Sequence, residues 1–446
     1  MTESAGALTK AQSLPSFAPG GPSGAGGRAV DDDGVAVVDA PIRFRTSLHN
    51  TLYDVCKARG WREVEGELDW DIHWADVHWI RDVLDHIRLE EHQRVNHFRN
   101  HYELTRKDLT IKNLKRLRKV LEKEDKMEEA AKYDFFPATY VVPAEYGLFE
   151  IDFRRTPNIV WIMKPIGKAQ GKGIFMFTRI SQISDWKKDH KWKSDSPQAE
   201  TYIAQRYIDN PHLIGGKKYD LRIYVLVTSY SPLVVWLYRS GFARFSHSRY
   251  SMNTKELENT YVHLTNVSIQ KTSDKYNAGG CKWGIRNLKL FMMSTHGPAA
   301  VNQLFGDIQN LLLRTVQAVH KVMIQDKHCF ELYGFDILID DRLKAWLLEV
   351  NASPSLTAET PADYHIKFNL LEDMFNIIDV ERKGKVAQEE RVGGFDLIWK
   401  NGPTKGAAPP GSTVQSYLGC VNERAIPMHL MKFPPKLQST NERPLI

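Results

Sequence analysis

The sequence has few cysteines and no long apolar run. Its 446 residues contain four cysteines (Cys56, Cys281, Cys329, Cys420), none in a CxxC pair. That argues against a disulfide framework or a cysteine zinc site and suits a reducing compartment, the cytoplasm. No stretch of about 18 apolar residues is present, so no membrane-spanning helix is expected. The N-terminus lacks the apolar core of a secretory signal. There is no internal repeat, no Walker A loop and no GxGxxG. Hydrophobic content is 42% and aromatic content 11%, which suits a globular protein of two or three packed domains. The formal charge of +6 favours an acidic partner without choosing among nucleic acid, membrane surface and protein.

Composition divides the chain. Residues 1–40 are rich in Gly, Ala, Ser and Pro and end in Asp31-Asp32-Asp33. They cannot bury enough apolar surface to offset chain entropy, so a disordered tail is expected. A globular region follows over 41–385, divided into N-terminal (41–134), central (135–230) and C-terminal (231–385) parts. After 385 the chain is again Gly/Pro-rich, and 386–446 is expected to be mostly irregular. Within the globular region, 47–59 has a helical stripe and 70–74 alternates like a strand. Residues 106–132 predict one charged helix. Its segment 106–119 holds seven Lys or Arg against Asp108 alone, as a solvated face or a docking surface for an acidic partner would. Short β-like runs fill 158–240, and 300–325 is a strong amphipathic helix. Phe335–Ile339 and Ala345–Val350 read as a hairpin.

Two groups of residues carry chemistry. Between predicted strands, Met163-Lys164-Pro165 leads to Gln170-Gly171-Lys172-Gly173. A glycine loop lets backbone amides approach phosphates, and Lys164 adds a fixed charge. A glycine-rich hairpin without a ligand has the same composition. Asp220 and Arg222 lie two apart on a strand and share a face, and an arginine fork suits phosphate or carboxylate. At the hairpin, Asp336 lies on one strand and Glu349 and Asn351, also two apart, lie on the next. Two carboxylates and an amide oxygen are hard ligands suited to magnesium. His97 and His101 are four apart, as in zinc sites, but the sequence offers no third ligand nearby, so no metal role is assigned.

Together these residues resemble the ATP-grasp fold and, within it, the tubulin tyrosine ligase-like family. The motifs are Trp161-Ile162-Met163-Lys164-Pro165, Gln170-Gly171-Lys172-Gly173-Ile174, Gln205-Arg206-Tyr207-Ile208, Lys218-Tyr219-Asp220-Leu221-Arg222, His263-Leu264-Thr265-Asn266, Gly334-Phe335-Asp336 and Leu348-Glu349-Val350-Asn351-Ala352-Ser353-Pro354-Ser355. They cover roughly 42–385, and the segment 97–107 looks like that of a glutamylase member. The resemblance implies an α/β (α+β) ATP-grasp fold with a smaller N-terminal α/β domain and disordered ends.

It also implies an ATP-dependent ligase adding free L-glutamate to glutamate side chains in the acidic C-terminal tails of tubulin. Lys164 and Arg222 would be catalytic. Lys164, Gln170, Gly171, Gln205, Arg206, Tyr207, Ile208, Lys218, Tyr219, Asp220, Thr265 and Asn266 would bind ATP. Arg244 and Lys282 would hold the incoming glutamate, and Asp336, Glu349 and Asn351 would hold Mg2+. Partners would be tubulin and microtubules, with neither nucleic acid nor membrane. The implied location is the cytoplasm and cytoskeleton, at a cilium basal body or flagellar axoneme. A glycine ligase and a tubulin-binding scaffold, either non-catalytic or dependent on an accessory subunit, are the other readings. One departure is Val267, where many members carry tyrosine.

Overall fold

Alternation along two long strands sets the frame of the molecule. In Lys217–Tyr230, Leu221, Ile223, Val225 and Val227 project to one face, while Tyr224 and Leu226 project to the other. Both faces are apolar, so both must be covered. The computed structural model describes residues 29–30, 36–37, 40–168, 171–183, 200–272, 281–384, 388–404 and 415–438.

Met1–Pro41 and Ile42–Ile446 form separate compact units. In the first, Ala29–Val30 pairs antiparallel with Ala36–Val37. The disorder expected for 1–40 otherwise falls on residues outside those described.

The larger unit begins with a parallel sheet. Its strands are Arg43–Thr46 (β1), Arg62–Glu63 (β2), Ile72–Trp74 (β3) and Arg94–Val95 (β4), in the order β2-β1-β3-β4. Helix Thr51–Ala58 (α1) joins β1 to β2, capped by the Asn50 side chain accepting from the Leu52 N–H. The basic helix is shorter than expected. Lys107–Lys123 (α2) stops where Asp125 takes a φ of 57°, and Met127–Ala131 is a separate turn of helix. Aspartate is among the few side chains that visit this left-handed region.

A second, antiparallel sheet follows. Thr139–Val142 (β5), Trp161–Pro165 (β6), Phe175–Phe177 (β7) and Tyr202–Arg206 (β8) run in the order β5-β8-β6-β7. Helix Tyr146–Arg155 (α3) contributes Phe149 to their core with Trp161, Met163 and Phe177.

The largest sheet carries the site. Lys217–Tyr230 (β9) and Leu233–Phe245 (β10) form its central hairpin. Then come helix Val267–Gln270 (α4), strand Lys282–Gly284 (β11) and helices Ile285–His296 (α5) and Pro298–Val319 (α6). The predicted hairpin is Glu331–Ile339 (β12) and Ala345–Asn351 (β13), followed by helix Pro361–Ile378 (α7). All pairings are antiparallel: β12 joins β9, β13 joins β12, and β11 joins β10. Helix α6 packs Val301, Leu304, Ile308, Leu312 and Val316 against one face, and α7 packs Leu370, Leu371, Met374 and Phe375 against the other. Each fully buried aliphatic side chain contributes about 1.5–3 kcal/mol, so the sheet is a rigid base.

Two boundaries differ from expectation. The division at 230/231 falls in the β9–β10 turn, so the central and C-terminal parts share one sheet. The segment after 385, expected to be mostly irregular, contributes two short strands: Arg391–Val392 (β14) and Phe395–Lys400 (β15) extend the sheet beyond β10. Phe395, Leu397 and Ile398 are apolar enough to pair there, a signal masked by the Gly/Pro content around them. Leu418 is also buried, and its carbonyl accepts from the Lys289 amine. Among the described residues, no helix is long and apolar enough to cross a membrane.

Candidate functional site

On the α7 face of the large sheet, apolar side chains give way to charged ones. Along β9 this face reads Leu226, Tyr224, Arg222, Asp220, and the last two are charged. Register extends each charge into a row. Arg222 lies opposite Asp336 of β12, which lies opposite Glu349 of β13. Asp220 lies opposite Arg244 of β10, which lies opposite Lys282 of β11. The rows are two residues apart and share a face.

The charges pair within these rows. Arg222 donates to both Asp336 oxygens, from Nε at 2.6 Å and Nη2 at 3.1 Å. Arg244 donates to both Asp220 oxygens at 2.7 Å, and its Nη2 also lies 2.9 Å from Asp336. Burial alone would raise the Asp336 carboxyl, but the two guanidiniums outweigh it and hold it well below the usual carboxylate range. The carboxylate is therefore ionised and fixed. Gly334 makes room for this: a Cβ there would meet Pro354 at 2.8 Å and the Arg222 side chain at 3.2 Å.

A bulge shapes the metal end. Asp336 pairs with Glu349 but Ile337 pairs with Leu347, so Leu348 is the extra residue. Leu348 and Glu349 consequently both line the cleft, which simple alternation does not predict. Asn351 lies beyond it, opposite Gly334. Its amide Nδ2 donates to the Gly334 carbonyl at 3.1 Å and lies 3.5 Å from Asp336, so the orientation assigned here turns Oδ1 away. Glu349 is 3.3 Å from the Lys107 amine. The hard oxygen donors of Asp336 and Glu349 on one face fit a magnesium ion.

The cleft beside these rows encloses about 840 Å³, its open mouth included. It is lined on one side by the second sheet (Ile162, Lys164, Gln205) and on the other by Lys218, Asp220 and Asp336. Arg206, Tyr207, Ile208, Gly171, Thr265 and Asn266 complete it. Gly171 has a φ of 77°, and a Cβ there would come within 2.3 Å of Ile269 in α4, so glycine is required for this approach.

Two lysines stand out here because their partners are neutral. Lys164 donates to the Gln205 side chain at 2.7 Å. Lys218 donates to the Tyr207 hydroxyl and the His263 carbonyl, both at 2.9 Å, and lies 4.5 Å from the centre of the Tyr207 ring. Burial pushes the Lys164 amine down to about 8 and the Lys218 amine to about 7; nearby carboxylates only partly restore them. Desolvated cations without a carboxylate contact are a receptor for an anion, and two at one end of a cleft fit a polyphosphate.

Not every expected residue arrives. Tyr219 faces away: alternation sends its ring to the α6 side, against Phe245, with its hydroxyl bonded to His212 at 2.8 Å. Gln170 lies outside the described residues. Arg222, Arg244, Lys282 and Asn351 sit beside the cleft rather than lining it. Lys282 is engaged by Glu359 and Asp363, each at 2.9 Å. Conversely, Lys107 and His263 line the cleft without having been assigned a role. Lys107 belongs to the basic run, where only its position at the first turn of α2 set it apart.

His97 and His101 do have a third neighbour, Glu331 from β12. Its oxygens already accept from His97 Nδ1 at 2.9 Å, the Phe98 N–H at 3.1 Å and the Tyr333 hydroxyl at 3.0 Å. The group is a satisfied buried network joining the N-terminal segment to the sheet.

The chain is similar to known proteins over most of its length. The family model described as "Tubulin-tyrosine ligase family" matches residues 86–386. The chain is 50% identical over 420 residues to the mouse protein named "Probable tubulin polyglutamylase TTLL9", covering 86% of this chain and 90% of that one. It is 46% identical to "Probable tubulin polyglutamylase ttll-9" of Caenorhabditis elegans, covering 81% and 85%. It is 42% identical to "Probable alpha-tubulin polyglutamylase Ttll1" of Tetrahymena thermophila, covering 82% and 94%.

Proposed function

This chain belongs to the tubulin-tyrosine ligase family, and on that premise we propose that it is a tubulin polyglutamylase. ATP phosphorylates a glutamate side-chain carboxylate in a tubulin C-terminal tail, releasing ADP. The amine of free glutamate then attacks the acyl phosphate; the new C–N bond forms as the C–O bond to phosphate breaks.

One observation carries this reading. Two cations with neutral partners, Lys164 and Lys218, share a cleft with Asp336 and Glu349, and Arg222 beside it fixes Asp336. Phosphoryl transfer to a carboxylate brings anions together, and positioned cations offset that repulsion. Lys164 and Lys218 bind the ATP phosphates, and Arg222 stabilises the transferring group. Gln205 to Ile208, Thr265 and Asn266 surround the nucleotide. Asp336 and Glu349, with Asn351 after an amide flip, would hold magnesium, which would neutralise charge on the phosphates. Arg244 and Lys282 hold the incoming glutamate, and the basic helix α2 faces an acidic tail. The chain then works on the cytoskeleton, at a basal body or axoneme.

The test supplies purified chain, tubulin, ATP and magnesium with labelled glutamate or labelled glycine. Glutamate incorporation into tubulin tails is expected. Glycine incorporation instead would make it a glycine ligase. Microtubule binding with neither label would leave a scaffold, or an enzyme that needs an accessory subunit.

A further inference from the structure

Beyond Lys282, two more lysines converge where the charged rows meet the start of α7. Lys271, just after α4, lies 2.5 Å from Glu359, whose other oxygen is 2.9 Å from Lys282. Lys282 also reaches Asp363 at 2.9 Å, and Asp363 in turn lies 2.8 Å from Lys367. Three lysines thus share two carboxylates. Asp363 and Lys367 are buried, with side chains 1% and 5% exposed, and Lys367 also donates to the Thr357 carbonyl at 2.7 Å. They form the fixed floor of the cluster. The Lys271 side chain is half exposed.

The charges beside the cluster are balanced: Arg222 and Arg244 face Asp220 and Asp336, and Lys107 faces Glu349. Among the described residues the surplus cation is therefore local to the lysine cluster, and Lys282 connects it to Arg244 as a cross-strand neighbour. Cross-strand neighbours on one face sit about 4.5–5.5 Å apart at Cβ, a distance that one amino acid spans. A neutral zwitterion such as glycine brings one carboxylate and one ammonium and leaves the surplus uncompensated. A dicarboxylic amino acid brings one additional negative charge and balances it.

We propose that Lys271 is a specificity-determining residue. With Lys282 it receives the side-chain carboxylate of the incoming amino acid, and Glu359 is the positioning residue that holds the two lysines together. This inference rests on the ligase reading above. Lys271 lies five residues beyond Asn266, on the segment whose Ile269 packs over Gly171, so amino acid and nucleotide sites share one support.

The test measures kinetics of glutamate incorporation for wild type, Lys271→Gln and Lys271→Arg. Loss of one charge-assisted contact predicts a roughly ten- to hundredfold rise in KM for glutamate in Lys271→Gln. The KM for ATP and the melting temperature stay unchanged, and Lys271→Arg stays within a few fold of wild type. Preference for glutamate over glutamine falls in parallel. An unchanged glutamate KM in Lys271→Gln overturns the proposal, and so does an equal rise in the ATP KM, which would mark a structural staple. A wild-type protein that incorporates no glutamate would instead overturn the underlying ligase reading.

Discussion

The two sides of the cleft handle charge in opposite ways. On the large sheet, the two site arginines are matched by carboxylates within hydrogen-bond reach: Arg222 with Asp336, Arg244 with Asp220 and Asp336. At the nucleotide end, Lys164 and Lys218 are buried against an amide, a hydroxyl and a carbonyl. The first arrangement is complete without ligand and fixes geometry. The second is held at a cost that an anion relieves. Preorganisation thus lies with the strands, and affinity for phosphate with the lysines.

Asp336→Asn should break the paired side most severely. Two buried guanidiniums lose their shared counter-charge, so stability should fall by about 3–5 kcal/mol in denaturant unfolding, as for other broken buried pairs. Turnover should fall at least about a thousandfold. Glu349→Gln separates these effects. Glu349 is partly exposed and its contact with Lys107 is 3.3 Å, so stability should change by less than about 1 kcal/mol. Turnover should still fall roughly a thousandfold. Retained turnover in Glu349→Gln would remove it from the proposed metal site.

The sequence exposed these strands unevenly. Asp220, Arg222, Asp336 and Glu349 were legible because spacing by two on a strand fixes a shared face. Tyr219 shows the same rule from the other side: an odd position among even ones sends its ring to the α6 face. The Leu348 bulge was invisible, since periodicity assumes an unbroken ladder. Lys107 opposite Glu349 and Glu331 beside His97 are contacts across more than 230 residues, and local pattern carries no signal for them. Strand β15 was missed because its six residues sit among glycines and prolines.

Lys218→Met should sharpen the other side of the comparison. The variant removes a desolvated amine and keeps its apolar stem. The KM for ATP should rise about ten- to hundredfold, for loss of a charge-assisted contact to phosphate. Stability of the ligand-free protein should hold or increase, since the buried charge is gone. A substantial loss of stability would mean that the bonds to Tyr207 and His263 matter more than the burial of the charge.

The smallest effect is a pH dependence that only the lysine side should show. The Lys218 amine is at about 7 in the folded protein against an ordinary 10.5, with burial as the main cause. Between those values the unfolded chain holds a proton that the folded chain has released. Stability of the ligand-free protein should therefore rise with pH across that window, a gain that is absent below about 7. Phosphate binding works in the other direction, because it requires the charged amine. Nucleotide affinity should weaken several-fold from pH 7 to pH 9 as Lys218, and then Lys164 at about 8, lose their protons. Isothermal titration of a non-hydrolysable nucleotide analogue across this range, compared with Lys218→Met, isolates the contribution of this lysine. If the two proteins show the same pH profile, Lys218 is charged throughout and the contrast between the two sides of the cleft fails at this residue.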